Sequence, residues 1–168
     1  LLLSSLVSCD NGSSDTSDTP KDTDAAVIEE KDYAASIKLD MNSETVKKEV
    51  TVKSFVDGDT THFFIDESVS ENGILKARYL AINTPGSTGK IEEYGKKASE
   101  FTREKLSAAT SIIIESDSAS WNLDSTGDRY LVWVWYKTAE MADYRCLNLE
   151  ILQNGLAVAS KSSDTSYA

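Results

Sequence analysis

The chain has 168 residues, a formal net charge of −11, two cysteines and one histidine. That length supports one domain with a core plus a tail. The cysteine and histidine counts exclude a structural zinc site, which needs four thiolates or two thiolates with two imidazoles. Residues 1–49 hold 11 acidic and 5 basic side chains, a net of −6, and residues 50–168 hold 17 and 12, a net of −5. A domain of this sign is a poor general nucleic-acid binder, because phosphate contact needs lysine and arginine to release counterions. Chemistry on a polyanion would need a bound cation or a local basic rim.

In chain order, Leu1 to Val7 is an apolar run without a starting methionine and reads as the cut end of a longer sequence, a signal-peptide remnant over residues 1–9. Leu6-Val7-Ser8-Cys9 resembles a bacterial lipoprotein box, which makes Cys9 the expected lipidation site. The run is too short to span a bilayer, so lipid rather than a helix would anchor the chain. This predicts an extracytoplasmic protein held on a bacterial cell membrane. Residues 10–47 read as a disordered acidic tether, rich in Ser, Thr and Asp at its start, with a short helix around Ala25–Ala35.

The folded domain is expected over residues 48–160. Val50, Val52 and Phe55-Val56 predict a first strand that ends at Asp57-Gly58-Asp59, and Thr60 to Asp66 a second, rich in β-branched and aromatic residues. Glu67 to Gly73 is a polar hairpin loop. Ile74 to Ile82 is a third strand with Ile74, Lys76, Arg78, Leu80 and Ile82 on one face. Asn83 to Lys90, with one proline and two glycines, is loop. From Ile91 to Ala109 the period turns helical, with Tyr94, Ala98, Phe101, Leu106 and Ala109 as the apolar stripe and Glu92-Glu93 in the first turn. Ser111 to Glu115 and Arg129 to Tyr136 are strands, separated by a polar turn over Leu123 to Asp128. Leu147 to Asn154 is a short helix stopped by Gly155. Residues 161–168 are the polar end of a fragment. The order is α+β. Five strands with a helix between the third and fourth, and a second short helix, is the order of an OB-fold β-barrel.

Asp57 and Asp59, two carboxylates at a strand edge, suit a hard cation or phosphate chemistry, although Asp-Gly is also a favoured turn pair. They do not open a helix–loop–helix calcium loop, whose sixth position would be His62 and twelfth Ser68. His62 has no serine, cysteine or second histidine at useful spacing and reads as a strand residue. Cys146 reads as a small core residue at a helix start.

Five ordered blocks between Val52 and Ala159 resemble the staphylococcal nuclease, or thermonuclease, family. They are Asp57-Gly58-Asp59-Thr60, Arg78 to Pro85, Glu92 to Thr102, Asp124 to Trp133, and Asn148 to Ala157. The resemblance implies an OB barrel and calcium-dependent hydrolysis of phosphodiesters in single-stranded or denatured DNA and RNA, with low sequence specificity, by a monomer. It implies Asp59 as a direct calcium ligand, Asp57 in the outer shell, Asn83 at the second carboxylate position and Thr84 as a carbonyl ligand. It implies Arg78 and Arg129 as the catalytic arginines, the second after a one-residue insertion.

The chain departs from that pattern. Asn83 stands where the family has a calcium carboxylate, and Gly86 where it has the glutamate that assists the attacking water, so no general base is found. Glu92 and Glu93 are the nearest carboxylates but fit helix capping better. Thr126 replaces the base-stacking tyrosine, Ser125 matches a lysine, and the second aromatic position falls near Ser160–Ser163. Two functions follow: a nuclease of reduced activity, or a catalytically degenerate OB module that binds nucleic acid or a protein partner.

Overall fold

The computed structural model describes residues 31–87 and 92–160. In chain order the elements are α1 (Tyr33–Ser36), β1 (Lys47–Asp57), β2 (Thr60–Phe64), β3 (Ile74–Tyr79), β4 (Ile82–Asn83), α2 (Gly95–Ala108), β5 (Ser111–Glu115), β6 (Tyr130–Lys137), β7 (Arg145–Cys146), α3 (Leu147–Gln153) and β8 (Val158–Ala159). Among the described residues, β1, β2, β3, β5 and β6 close into a five-stranded barrel. The meander β1–β2–β3 is antiparallel. β5 pairs with both β1 and β6, and a parallel pairing of β3 with β6 seals the barrel. α2 lies between the third and fourth barrel strands, as an OB fold requires. No helix among the described residues is long and apolar enough to cross a membrane.

β1 is long because it serves two neighbours. Lys47 to Val50 pair with β5, and Thr51 to Asp57 pair with β2. Register shifts after Val52 and Phe55 bend the strand around the barrel corner. Phe63, Leu75, Ala77, Tyr79, Ile114, Val132 and Val134 fill the interior, and Leu106 from α2 and Leu147 and Ile151 from α3 plug its ends. Each large side chain so buried contributes roughly 1.5–3 kcal/mol. β5 is apolar at Ile112-Ile113-Ile114 because both its faces are covered. Ile113 points away from the barrel interior, into a second cluster with Trp135 and Cys146. Burial there pushes the Cys146 thiol up to about 12, so it is an inert core residue.

Three expectations are corrected. Residues 31–47 do not behave as tether. α1 buries Ala34, is capped by Asp32, and takes Gln153 Oε1 of α3 on its first two amides at 2.8 and 3.2 Å. Asp32 also pairs with Arg145 at 2.9 Å. Thr45 and Lys47 bond the buried Glu115 at 2.5 and 3.3 Å, and Trp135 Nε1 donates to its other oxygen at 2.8 Å. These polar partners explain why a segment with no hydrophobic period is still held. Second, the third strand breaks at Ala81, whose φ of 63° ends the alternation, so Leu80 and Ile82 are buried while Ile74, Lys76 and Arg78 are only half-buried. Third, α2 starts at Gly95 and has no acidic residue in its first turn. Tyr94 is the N-cap in a left-handed conformation and is 53% exposed, so it leaves the apolar stripe. The lipobox with Cys9, the start of the tether, Thr88 to Ile91 and residues 161–168 lie outside the described residues.

Candidate active site

The site is built on the β1–β2 turn. Asp57 and Thr60 face each other across the hairpin, leaving Gly58 and Asp59 at its tip. α2 holds the tip through the Thr102 hydroxyl, which donates to the Gly58 carbonyl at 2.6 Å. A Cβ on Gly58 would lie 2.8 Å from Ala98 Cβ and 2.9 Å from the Thr84 side chain. The turn therefore needs glycine for close approach. The same contact presses Thr84 onto Asp59, whose Oδ2 accepts the Thr84 amide at 2.7 Å and whose Oδ1 accepts the Thr60 hydroxyl at 3.0 Å. Asp59 is 5% exposed. The Thr84 hydroxyl beside it is buried with no hydrogen-bond partner among the described residues.

Arg78 reaches this carboxylate from β3, where its backbone lies opposite Thr60. Its Nη1 forms an ion pair with Asp59 Oδ2, and its Nη2 donates to Asn83 Oδ1 at 2.7 Å. One guanidinium thus bridges the two side chains expected to bind calcium. The Ala81 kink makes this possible by turning the chain so that Asn83, five residues on, comes back beside Arg78. β4 is fixed there by pairing with β8, and Asn148 locks the adjoining seam. Its amide group donates to the Leu80 and Val132 carbonyls at 3.0 and 3.1 Å and accepts the Val134 amide at 2.9 Å.

Asp57 has turned elsewhere. Its Oδ1 accepts the Ser87 hydroxyl at 2.7 Å, the Ser87 amide at 3.0 Å and the Gly58 amide at 2.9 Å. It clamps the segment after Pro85 to the turn. Gly86 is held from the other side by Glu92: the Gly86 amide donates to Glu92 Oε2 at 2.9 Å, and the Glu92 amide donates to the Gly86 carbonyl at 2.9 Å. Glu92 is not a helix cap, because α2 begins three residues later.

Arg129 enters from the turn before β6. Its Nε and Nη2 donate to Asp124 Oδ2 at 2.7 and 2.6 Å. Burial alone would raise the Asp124 carboxyl, but the Thr126 hydroxyl and the Arg129 guanidinium outweigh it and hold it below the usual carboxylate range. The inserted Asp128 points away and pairs with Lys76 at 2.7 Å. Arg78 and Arg129 line one cavity of about 220 Å³, together with Asp124, Ser125 and Ser160. A second cavity of about 250 Å³ lies on the other side of β4, lined by Asn83, Pro85, Glu92, Tyr94 and the chain after α3. The non-glycine residues with positive φ among those described, Ala81 and Tyr94, each border one of the two cavities. Strained backbone of this kind gathers at functional sites.

Sequence reasoning brought Asp59, Asn83, Thr84, Arg78 and Arg129 forward, and the fold places the first four side by side and Arg129 across the same cavity as Arg78. It missed Asp124 as the partner of Arg129 and Glu92 as the partner of Gly86. Asp124 had a signal, an aspartate at the head of a turn with Thr126 two residues on, which is an Asx-turn pattern. His62 is half-buried on β2, and burial lowers its pKa. Nothing beside it suggests catalysis.

The sequence model of the staphylococcal nuclease homologue family matches residues 76–168. The chain belongs to that family. The match opens inside β3 and takes in Arg78, Asn83, Glu92 and Arg129, while the Asp57–Asp59 turn lies before it. No curated protein sequence gave a match. Proteins of the staphylococcal nuclease family are generally calcium-dependent. Among the described residues, no three His, Cys, Asp or Glu side chains cluster as a metal site. The donors that do converge are hard oxygens. Asp59 and Asn83 already share one cation, the Arg78 guanidinium, and the unpartnered Thr84 hydroxyl lies beside them. That chemistry fits a calcium ion, but with a single carboxylate, and Arg78 must release Asp59 to admit it.

Proposed function

We propose that this domain hydrolyses phosphodiester bonds of single-stranded or denatured DNA and RNA, with little sequence preference and at a reduced rate. The observation that carries this is the shared cavity of Arg78 and Arg129. Two arginines bordering one small space suit a phosphoryl group, whose pairs of oxygens take bidentate hydrogen bonds. Both arginines are pre-oriented by carboxylates, Asp59 and Asp124, so little ordering is left to complete on binding. Their role is to hold the phosphoryl oxygens and offset the charge that builds on them while water attacks in line. At Ser125 and Ser160 the cavity wall offers hydroxyls, and Tyr79, which also lines it, is buried with its hydroxyl bonded to Thr61, which is consistent with low sequence preference and a loose nucleotide grip.

Calcium dependence belongs to this reading. Asp59, Asn83 and the Thr84 carbonyl would hold the ion, which would neutralise a phosphoryl oxygen and help orient the water. An amide in place of a carboxylate at Asn83 lowers the ligand charge and with it the affinity. Asp57, tied to Ser87, would act only through the shape of the turn. The resemblance of Leu6 to Cys9 to a lipoprotein box supports an enzyme outside the cytoplasm, which lipid on Cys9 would anchor and the acidic segment before Lys31 would join to its domain. A surface nuclease of this kind would take nucleic acid from the surroundings.

A second reading has its own observation. Arg78 is already engaged by Asp59 and Asn83, and Gly86 carries no carboxylate, which favours a module that binds without turnover. The test is cleavage of denatured DNA by the purified chain with calcium and then with chelator. Calcium-dependent cleavage that disappears in Arg78→Ala supports the enzyme. Binding without cleavage in every condition supports the module.

A further inference from the structure

Arg78 and Arg129 account for a phosphate but leave the rest of a nucleotide without a seat, because Tyr79, the ring that lines their cavity, is buried. The neighbouring cavity of about 250 Å³ has the complementary chemistry. Pro85, Leu156 and Val158 give it apolar walls, and Tyr94 gives it a ring that is 53% exposed. Asn83 and Glu92 form its polar edge. Among the described residues no lysine or arginine lines it, and the Glu92 carboxylate would repel a phosphate. These walls fit a flat, uncharged group with apolar faces and a polar rim. A nucleobase is such a group.

The β4–β8 ribbon joins the two cavities. Asn83 pairs with Val158 and Ile82 with Ala159, and the Ser160 amide donates to the Ala81 carbonyl at 2.9 Å. Ala81 and Ser160 border the arginine cavity, and Asn83 and Val158, two residues away on each side, border the other. Two residues of extended chain span roughly 6–7 Å, a gap that the sugar of one nucleotide can bridge. Asn83 also links the cavities directly, since its Oδ1 accepts Arg78 Nη2 at 2.7 Å. The walls are held in place. Tyr94 is fixed in a left-handed conformation, and Lys97 Nζ covers one face of its ring from the groove outside, 4.8 Å from the centroid. The other face is left for a base. Glu92 Oε2 accepts the Gly86 amide at 2.9 Å, and Gly95 admits this closure, because a Cβ there would lie 2.0 Å from the Gly86 carbonyl oxygen.

We propose that the cavity beyond β4 is a nucleobase subsite, in which the base next to the bound phosphate stacks on Tyr94 and turns its edge to Glu92. The proposal rests on the reading of Arg78 and Arg129 as the pair that holds the phosphate. Carboxylate oxygens only accept, so base edges rich in N–H bind best. Guanine offers its N1–H and its 2-amino group side by side to the two oxygens. Thymine and uracil offer one imino N–H between two carbonyl oxygens that the carboxylate repels. The subsite therefore gives one position of the strand a preference for guanine over thymine, on a backbone that the arginines hold whatever its sequence.

The test measures binding of short thymidine oligonucleotides to the full chain in chelator by fluorescence anisotropy. One position at a time carries guanine or an abasic sugar. In the wild type, guanine at one position should tighten binding by about tenfold over thymine. An abasic sugar there should weaken it by about tenfold. Tyr94→Gly, which suits the φ of 66°, should bind intact and abasic strands alike. Tyr94→Phe, which keeps the ring, should restore the difference between them. Glu92→Gln keeps an oxygen for the Gly86 amide and should lose most of the guanine preference. If an abasic sugar costs nothing at any position, or if Tyr94→Gly binds the intact strand as tightly as the wild type, the cavity is not a base subsite. Calcium-dependent cleavage would then still uphold the hydrolytic reading. If the binding pattern appears but the chain never cleaves, the subsite stands and the hydrolytic reading falls. A chain that binds no oligonucleotide overturns both.

Discussion

Arg78 and Arg129 face one cavity but are held in opposite ways. Arg78 sits on a barrel strand and is gripped by Asp59, from the β1–β2 turn across β2, and by Asn83, five residues on past the Ala81 kink. Arg129 sits in a turn and is gripped by Asp124, five residues before it, in a bond that the turn itself makes. Both carboxylates are nearly closed to water, with the Asp59 side chain 7% and the Asp124 side chain 8% exposed, while the guanidiniums differ, Arg78 at 16% and Arg129 at 34%. One guanidinium is therefore part of the folded core and the other is part of a local loop. The barrel must be complete before the first is positioned; the second needs only its turn.

The largest expected effect follows from this. Arg78→Ala leaves Asp59 buried without its counter-charge, a loss of about 3–5 kcal/mol. Arg129→Ala leaves Asp124, also nearly buried, with the Thr126 hydroxyl and the turn amides, and should cost less, about 1–3 kcal/mol, because removing the more exposed guanidinium opens the carboxylate to water. Both variants should lose about 10²–10³-fold in cleavage, the range for removing one preorganised donor. Denaturant unfolding together with cleavage rates checks this, and equal stability losses in the two variants would break the comparison. Gly58→Ala comes next. The added methyl meets Ala98 and Thr84 inside normal contact distance, so it should cost about 1–3 kcal/mol and disturb Asp59 with it. A fall in melting temperature with loss of Arg78 function, and no change at Arg129, would sharpen the contrast. Asn83→Asp is smaller. It adds a second carboxylate beside Asp59 and should tighten calcium by about tenfold, near 1.4 kcal/mol, measurable by calorimetry without any substrate. An unchanged affinity would mean that Asn83 does not face the ion.

Much of the barrel was legible because its strands carry their own signals. Ile112-Ile113-Ile114 and the Tyr130 to Lys137 run are apolar and β-branched or aromatic, and Gly155 marks the end of α3. The Arg78 half of the site was legible only through resemblance, since nothing in the spacing of Asp59, Arg78 and Asn83 says that a kink at Ala81 will bring them together. An alanine at φ 63° gives no local warning. Residues 31–47 were misread because what holds them is polar and distant: Gln153, Arg145 and Glu115 are 68 or more residues away from the groups they bind. Glu92 was misread because two acids before an apolar stripe look like a helix start. The close contact of Gly86 with Gly95, a tertiary constraint, shifts the start of α2 to Gly95 instead.

The smallest prediction isolates the local arginine by pH. Asp124 is held below the usual carboxylate range: burial opposes this, and the Thr126 hydroxyl and Arg129 more than offset it. Its folded pKa is thus lower than the unfolded value near 3.9, so the ionised form contributes stability at every pH above that value. As pH falls, the unfolded chain takes up a proton first, and the contribution drains away until the folded Asp124 is protonated too. Asp124→Asn lacks this contribution at any pH. The stability difference between wild type and Asp124→Asn should therefore be constant from neutral pH down to about pH 5 and shrink towards zero in more acid solution. Stability measured by denaturant at each pH gives the difference directly. If Arg129 is held by its turn alone, the Arg129→Ala variant should lose most of that pH dependence, while Gly58→Ala, on the other side of the cavity, should keep it. A difference that persists undiminished in acid would mean that Asp124 acts through its shape in the turn and not through its charge.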